Sequence, residues 1–497
     1  MRKASIPNIY LYIPIVLLGL HLIFRLIDQA NLISTFPLDK FNDWSSYMAQ
    51  LHFLKECGFH NLCQYWYNGF INFQINQPGW YFFIYPLFLL TKNVQLTAYL
   101  SILITFILTL LALFISRKRL NLNKIQITAL FLFFFGNAIA IGNFIRVGKI
   151  HQLFAWFTLI VIFLFLLIYK DKKIDKKFFL IIPFYFFAIL THQNSAIIAS
   201  LAILGLFLIK DLKQKLLILL ATIITITATS FWWIPYIQNF FATTSKTIIV
   251  ANSLKEITKA TLNDNLVAII IPITFLITLY FYLKSNKNRK KEFIFFLPLT
   301  LISILLLTRL ILFIPIIKQV FPDSYSLFLL FFIIFMFFKI DFNLIKKYKH
   351  IIFIGLILIT ILSISLSIKF TPLFAQHTEL EEEVLAILPE IDEKFIILKT
   401  PSRRTSYPQA YYSYAAIFHN KSTSAGWYPS LVSPEYLKKI DSLDSILISE
   451  NYSLLKQELK ELNTFEVLAF DDYCTLLQQN GFNNKINKSR VCILTLK

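Results

Sequence analysis

Polar side chains able to do chemistry are concentrated in the segment 28–94, directly after the first apolar stretch of the sequence. Its run from Asp39 to Gln50 has an acidic start, with Asp39 and Asp43, and continues as a stretch that we predict to be an amphipathic helix. An ionised carboxylate can remove the proton of a hydroxyl group as that group attacks carbon. The alternative for Asp43 is structural, because its side chain can also cap a helix that begins directly after it.

A second group of candidate residues is basic. Arg146, Lys149 and His151 lie in one short segment between two apolar runs. Cationic side chains at such a position can bind phosphate groups. They can equally extend to lipid headgroups, as lysine and arginine do at the ends of membrane helices. The sequence leaves both interpretations open.

Four further polar residues stand out against apolar surroundings. Arg309 lies within the run 302–314, where a charged side chain is costly unless it faces a cavity or a partner. Its partner would be a phosphate group or a carboxylate, with Asp323 and Tyr325 nearby in sequence; snorkelling of Arg309 and helix capping by Asp323 are the alternatives. His192 marks a polar turn, where it either hydrogen-bonds to sugar or phosphate or simply completes the turn.

The composition indicates a membrane protein. The 497-residue chain is 57% hydrophobic and only 15% charged, with a mean hydropathy of +0.63; soluble domains are typically about 25% charged. The net charge of +20 comes from Lys and Arg in short clusters between apolar runs. That placement indicates loops facing anionic lipid and argues against a nucleic-acid partner. Glycine is scarce, so we expect bulky side chains to pack the helices.

The apolar runs predict an all-α bundle of about eleven transmembrane helices. The predicted spans are 8–27, 95–116, 127–145, 152–169, 178–191, 195–209, 216–237, 266–283, 293–313, 325–339 and 351–368. Every basic cluster falls on one side of the membrane if Trp80 to Leu90 forms an interfacial helix and does not cross. The positive-inside rule then places the N-terminus in the cytoplasm and residues 369–497 outside.

Residues 369–497 differ in composition from the membrane domain of residues 1–368, and we predict that they form a small soluble α/β domain. Its predicted elements are helices over 379–391 and near 433–443 and strands over 395–398 and 491–496. All four cysteines fall on the outer side, where disulfides persist. The local pairs are Cys57 with Cys63 and Cys474 with Cys492; four free thiols are the alternative, because spacing does not fix connectivity.

This organisation resembles the GT-C superfamily of membrane glycosyltransferases. The resemblance lies in a first span, a large outer loop in which Asp43 precedes an aromatic and a small-residue helix, the segment from Asn76 to Tyr81 before an interfacial helix, and a bundle followed by an outer domain. Within the superfamily, the chain is most similar to the branch labelled pyruvoyl-tetrahydropterin-synthase-related, a label that implies no synthase activity.

The resemblance implies transfer of a hexose or pentose, with inversion, from a polyprenyl-phosphate carrier to a glycan, lipid or protein acceptor at the outer face of the bilayer. Asp43 matches the family's first-loop carboxylate, a general base or acceptor-orienting group, with Asp39 as the alternative. Arg146, Lys149 and His151 would bind the carrier phosphate. The turn 143–152 lacks the carboxylate that many family members carry there, in some as part of a metal site, so the sequence argues against a divalent metal and indicates no other cofactor.

A transporter or flippase of a lipid-linked or polar solute is the alternative function. Transporters commonly show repeated halves and ionisable residues within their spans, and neither feature is evident in the sequence. A non-catalytic scaffold is a third class. The segment from Gly426 to Pro429, Gly-Trp-Tyr-Pro, resembles the tryptophan-rich acceptor motif of oligosaccharyltransferases only weakly.

Overall fold

The computed structural model describes residues 5–39, 42–243, 266–314, 317, 320, 322–400 and 408–496. These residues are mostly helical, with a four-stranded sheet near the C-terminus, as the sequence predicts. The helices up to residue 370 are α1 (Ile9–Gln29), α2 (Trp44–Glu56), α3 (Gly79–Thr91), α4 (Val94–Ser116), α5 (Lys124–Phe135), α6 (Ala138–Arg146), α7 (Ile150–Tyr169), α8 (Ile181–Thr191), α9 (Gln193–Leu208), α10 (Leu212–Ala228), α11 (Ser230–Thr243), α12 (Ile271–Lys284), α13 (Arg289–Leu307), α14 (Pro322–Phe337), α15 (Phe342–Ile345) and α16 (Lys349–Phe370).

A helix lies at the position of each predicted span. By length and apolarity, four helical segments in the described part of the chain can cross a membrane alone, and up to six if each bent pair is one span. The four are Ile9–Ile33, Val94–Ser116, Ile150–Tyr169 and Phe342–Phe370, and the bent pairs are α5 with α6 and α10 with α11. Most other predicted spans are too short to cross a hydrocarbon layer of about 30 Å at about 1.5 Å per residue. This criterion therefore counts fewer crossings than the predicted eleven.

The chain bends by 52° between α5 and α6. Gly136 ends α5, and a Cβ atom there would lie 2.7 Å from the carbonyl oxygen of Leu132. Asn137 then caps α6, because its side-chain oxygen accepts hydrogen bonds from the backbone N–H groups of Ile139 and Ala140. The last part of α6, Ile141–Arg146, has a π-helical pattern and ends against the start of α2. The sequence had predicted one uninterrupted span here.

Phenylalanine side chains pack the centre of the bundle around α7, which is buried along most of its length. The ring of Phe163 lies 5.1–5.3 Å from those of Phe328, Phe331 and Phe332 on α14. Such pairs add to the burial of large apolar surfaces. The expectation that bulky side chains would pack the helices is thus met in the described core.

The segment between α1 and α4 folds onto the end of the bundle. Its helix α2 is not amphipathic as predicted, because residues Trp44 to Leu51 are all buried between the bundle and the C-terminal part of the chain. Helix α3 occupies the position of the predicted interfacial helix and packs against α4, α7 and α8. A disulfide joins Cys57 to Cys63, beside the paired strands β1 (Leu62–Cys63) and β2 (Phe70–Ile71).

The C-terminal region, residues 371–496, surrounds a mixed sheet of strand order β3-β4-β6-β5. Its elements are α17 (Glu379–Ile387), β3 (Phe395–Ile397), α18 (Pro408–His419), α19 (Pro434–Ile448), α20 (Tyr452–Glu461), β4 (Glu466–Phe470), α21 (Asp472–Gln479), β5 (Asn483–Asn487) and β6 (Val491–Thr495). Strands β3 and β4 are parallel, and β6 pairs antiparallel with β4 and β5. The second predicted disulfide, Cys474 with Cys492, joins α21 to β6.

Candidate functional site

Asp43 lies at the first turn of α2 but does not cap it. The oxygen of the neighbouring Asn42 side chain accepts the hydrogen bond from the Ser45 amide at 3.2 Å, so the capping interpretation of Asp43 is wrong. No hydrogen bond to the Asp43 carboxylate is formed by any described residue. The group is half-buried, and burial raises its pKa to about 6 against the opposing charge of Lys149. An unpaired carboxylate that titrates near neutral pH can exchange protons with a substrate.

The turn between α6 and α7 holds Asp43 in place. The Asp43 amide donates to the carbonyl oxygen of Val147 at 2.6 Å, and the Trp44 indole donates to that of Ile145 at 3.2 Å. Gly148 has a φ of +81°, and a Cβ atom there would lie 2.2 Å from the indole nitrogen of Trp44. Only glycine adopts this conformation without strain and leaves room for the ring. The start of α2 and this turn therefore form one unit.

Tyr428 of the C-terminal region reaches the same place. Its hydroxyl lies 3.0 Å from that of Ser46, one turn along α2 from Asp43, and it also interacts with the hydroxyl of Tyr81. Burial raises the pKa of Tyr428 well above its usual value, so the phenol stays protonated. A Cβ atom on Gly426 would lie within 3 Å of the Trp66 ring, which shows how closely this segment approaches the first loop. Sequence reasoning had noted Gly-Trp-Tyr-Pro without assigning it to the site.

Lys149 and Asp323 meet beside Asp43 through Asn143. The Lys149 ammonium donates to the Asn143 side-chain oxygen at 3.1 Å and lies 3.9 Å from the Asp323 carboxylate. Asn143 in turn donates to Asp323 at 2.7 Å. A carboxylate is thus present beside the turn 143–152 after all, supplied by α14 from a distant part of the sequence.

Asp39 and Arg146 form a buried ion pair. Their side chains lie 3.1 Å apart and are 11% and 4% exposed. Arg146 also donates to the carbonyl oxygen of Leu373, where the C-terminal region begins. Groups bound to each other in this way are not available as a base or as a phosphate ligand without breaking the pair. The geometry therefore favours a positioning role for both residues, which the sequence had presented as candidates for chemistry.

His151 and His192 lie next to each other on the inner side of this group. Their ring centroids are 5.0 Å apart, and the centroid of the Tyr47 ring lies 4.6 Å from that of His151, with the two rings tilted. His192 accepts a hydrogen bond from the Asn194 amide, so it caps α9. Burial, and then the charge of Lys149, lowers the pKa of His192 to about 4, which keeps the ring neutral at pH 7. The structure thus brings His151, His192, Lys149 and Asp323 together.

Arg309 and Tyr325 do not take part in this cluster. Among the described residues no ion pair joins Arg309 to Asp323, because Asp323 contacts Asn143 and Lys149 instead. The hydroxyl of the buried Tyr325 donates to the carbonyl oxygen of Ile317 at 2.7 Å, so it holds the segment before α14. No group of three or more His, Cys, Asp or Glu residues that could hold a metal ion occurs in the described ranges.

Two solved glycosyltransferase structures share this architecture. The arabinofuranosyltransferase AftD from Mycobacteria aligns with a TM-score of 0.61 at 12% identity, over 96% of this chain and 39% of AftD. The archaeal oligosaccharyltransferase AglB from Archaeoglobus fulgidus, in complex with an inhibitory peptide and a dolichol-phosphate, aligns with a TM-score of 0.55 at 10% identity, over 92% of this chain and 69% of AglB. The chain has their fold.

At 10–12% identity, these two alignments show a shared fold and nothing beyond it. No protein-family model matches the sequence, and no curated protein matches it. The chain spans 39% of the length of AftD, so activity and substrates do not carry over from that comparison. Together with its apolar helices, the shared fold identifies a membrane protein.

Proposed function

We propose that the protein is a glycosyltransferase that moves a sugar from a polyprenyl-phosphate carrier to a hydroxyl-bearing acceptor. One observation supports this most strongly: Asp43 presents a half-buried carboxylate with a pKa of about 6, next to Lys149, at the start of the first-loop helix of a GT-C-like fold. A base poised near the working pH is what proton transfer from a hydroxyl requires. The neighbouring cation supplies the charge that a departing phosphate requires.

In the proposed reaction, Asp43 accepts the proton of the acceptor hydroxyl as its oxygen bonds to the anomeric carbon of the sugar. The bond from that carbon to the phosphate oxygen breaks, and its electron pair stays on the polyprenyl phosphate. Lys149 stabilises the negative charge of this leaving group. Attack opposite the leaving group inverts the anomeric carbon. Tyr428 and Ser46 would keep α2 in register against the C-terminal region.

The finer topology belongs to the same proposal. We propose eleven crossings, with the shorter helices accommodated by local thinning of the bilayer, a cytoplasmic N-terminus, and residues 369–497 as an extracytoplasmic domain after the membrane domain 1–368. The clustered lysines and arginines support this orientation. The likeness to the pyruvoyl-tetrahydropterin-synthase-related branch also stays a proposal.

The test is sugar release from labelled carriers. The detergent-purified protein would be incubated with radiolabelled polyprenyl-phosphate mannose, glucose, galactose and arabinofuranose and a mixture of membrane glycan and lipid acceptors. We expect one carrier to lose its label to an acceptor with stoichiometric appearance of polyprenyl phosphate. Turnover with none of them, combined with carrier movement across proteoliposome membranes, would instead support the transporter alternative.

Lys149→Gln is expected to move the acid limb of the pH–rate profile upward. The positive charge of Lys149 lowers the pKa of Asp43, so its removal raises that pKa above about 6, and the base is protonated at a higher pH. Carrier affinity should fall roughly tenfold to a hundredfold with the lost phosphate contact. The pH profiles of the wild type, Lys149→Gln and Lys149→Arg would be compared, with Lys92→Gln, at the exposed residue directly after α3, as control. If the acid limb of the pH–rate profile were unchanged in Lys149→Gln, Lys149 would not belong to the site.

A further inference from the structure

Several buried polar atoms beside the candidate site have no hydrogen-bond partner among the described residues. They are the side-chain nitrogen of Gln50, the indole nitrogen of Trp80, Nδ1 of His151 and both amide atoms of Asn194. Gln50, Trp80 and Asn194 are each no more than 2% exposed. Unpaired polar groups at such depth are costly, and native proteins rarely hold several together without a bound polar group. We call these four residues the unpaired cluster.

The members of the unpaired cluster come from α2, α3, α7 and α9 and are linked through neighbouring side chains. Tyr47 connects them, with its ring 6.4 Å from that of Trp80 and 4.6 Å from that of His151. The ring of His151 in turn lies 5.0 Å from that of His192. Nδ1 of His192 accepts a hydrogen bond from the backbone N–H of Asn194. On α2, Asp43, Tyr47 and Gln50 are spaced four and three residues apart, which places them on one face of the helix. The cluster therefore continues inward from the carboxylate of Asp43.

The chemistry of the cluster matches hydroxyl groups. The nitrogens of Gln50, Trp80 and Asn194 donate hydrogen bonds, whereas the Asn194 oxygen accepts them, and a hydroxyl group does both. The neighbouring His192 is held neutral by burial and by Lys149. None of the four residues of the cluster carries a positive charge, and a carboxylate would meet the Asn194 oxygen, so a charged sugar fits poorly. A phosphate group would bind more favourably at the ammonium of Lys149, which lies in the turn between α6 and α7.

Resting on the proposed function, we infer that the unpaired cluster binds the donor's sugar through its hydroxyl groups and selects an uncharged sugar over a uronic acid. Lys149 then binds the phosphate of the donor, and the unpaired cluster binds its sugar. The anomeric carbon between the two parts is placed within reach of Asp43.

Asn194→Leu separates sugar binding from carrier binding. Because neither amide atom has a partner in the described structure, leucine of similar size should fold at least as well. Binding to the full-length protein would be measured with decaprenyl phosphate alone and with the same lipid carrying mannose, glucose, galactose, arabinofuranose or galacturonic acid. In the wild type we expect an uncharged sugar to tighten binding at least roughly tenfold over the bare lipid, and galacturonic acid not to do so. Asn194→Leu should lose about tenfold to a hundredfold of affinity for that sugar-bearing lipid and none for decaprenyl phosphate.

Two further variants keep the result interpretable. Asn286→Leu, which removes a similar amide just beyond the far end of α12, should change neither affinity. Trp80→Phe removes the indole N–H and retains a ring, and it replaces Asn194→Leu if that variant misfolds. Equal loss for the bare and the sugar-bearing lipid, no gain from any sugar in the wild type, or equally tight binding of galacturonic acid would overturn the inference alone. Binding of no lipid at all would overturn the proposed function with it.

Discussion

Asp43→Asn is expected to abolish sugar transfer and, at the same time, to raise the free energy of unfolding. The carboxylate accepts no hydrogen bond from the described residues, and burial raises its pKa to about 6. Folding therefore penalises its ionised form, and replacing it by a neutral amide should gain about 2–3 kcal/mol at pH 7. Loss of a general base lowers turnover by about 10²–10⁴. Turnover and urea unfolding would be measured on the same preparations.

The size of the stability gain of Asp43→Asn depends on pH. Below about pH 4 the wild-type carboxyl is protonated in both the folded and the unfolded chain, so the two proteins should be equally stable. Between pH 4 and 6 the folded state binds more protons than the unfolded one, so wild-type stability falls as pH rises. The gain of the variant should therefore grow through this interval and be complete above pH 6.

Asn42→Ala is the matched control for this experiment. Asn42 holds the cap of α2 through the Ser45 amide, so its loss should destabilise the protein by about 1 kcal/mol. The two neighbouring substitutions thus have opposite expected signs. A destabilised Asp43→Asn protein would show that Asp43 is structural, and full turnover in that variant would remove it from the reaction.

Arg146→Met is expected to destabilise the protein by about 3–5 kcal/mol, because it breaks a buried ion pair with the Asp39 carboxylate. The pair is 3.1 Å long and largely shielded from water. The substitution also removes the hydrogen bond to Leu373 at the start of the C-terminal region. The unfolding midpoint in detergent, followed by limited proteolysis of the C-terminal region, measures both effects.

The double variant Asp39→Asn with Arg146→Met tests whether the loss comes from breaking this ion pair. Neutralising both partners should recover a large part of the stability lost in Arg146→Met. If Asp39→Asn alone left stability unchanged and abolished turnover, Asp39 would be the base and the structural account of the pair would be wrong.

The helices and their order follow from the sequence because long apolar runs have few other stable structures in a bilayer. Strands β3 and β6 were predicted for similarly local reasons, whereas the partner strands β4 and β5 were not. The two disulfide pairs were proposed from short cysteine spacing, with free thiols as the alternative, and both are present. The bend at Gly136 was missed, because a glycine followed by asparagine inside an apolar run is compatible with a straight helix as well.

Contacts between distant residues limited the prediction of the site. Nothing in the spacing of Asp39 and Arg146, or of Asn143 and Asp323, signals that they meet. Both contacts arise because α6 ends and α14 begins beside the first loop. The position of Tyr428 in the site could not be predicted either, since it depends on how the C-terminal region packs on α2. For Asp43 and Asn42, the sequence offers two capping side chains in succession, and only backbone geometry decides between them.

The most direct test of the central claim is a cryo-electron microscopy structure of the protein with the decaprenyl-phosphate sugar that binds most tightly. We predict the phosphate within hydrogen-bond distance of the Lys149 ammonium, the anomeric carbon facing Asp43 and the sugar against Asn194. A phosphate bound instead at the basic groove formed by Lys287 to Lys291 at the far end of the bundle, with no lipid near Asp43, would contradict the account.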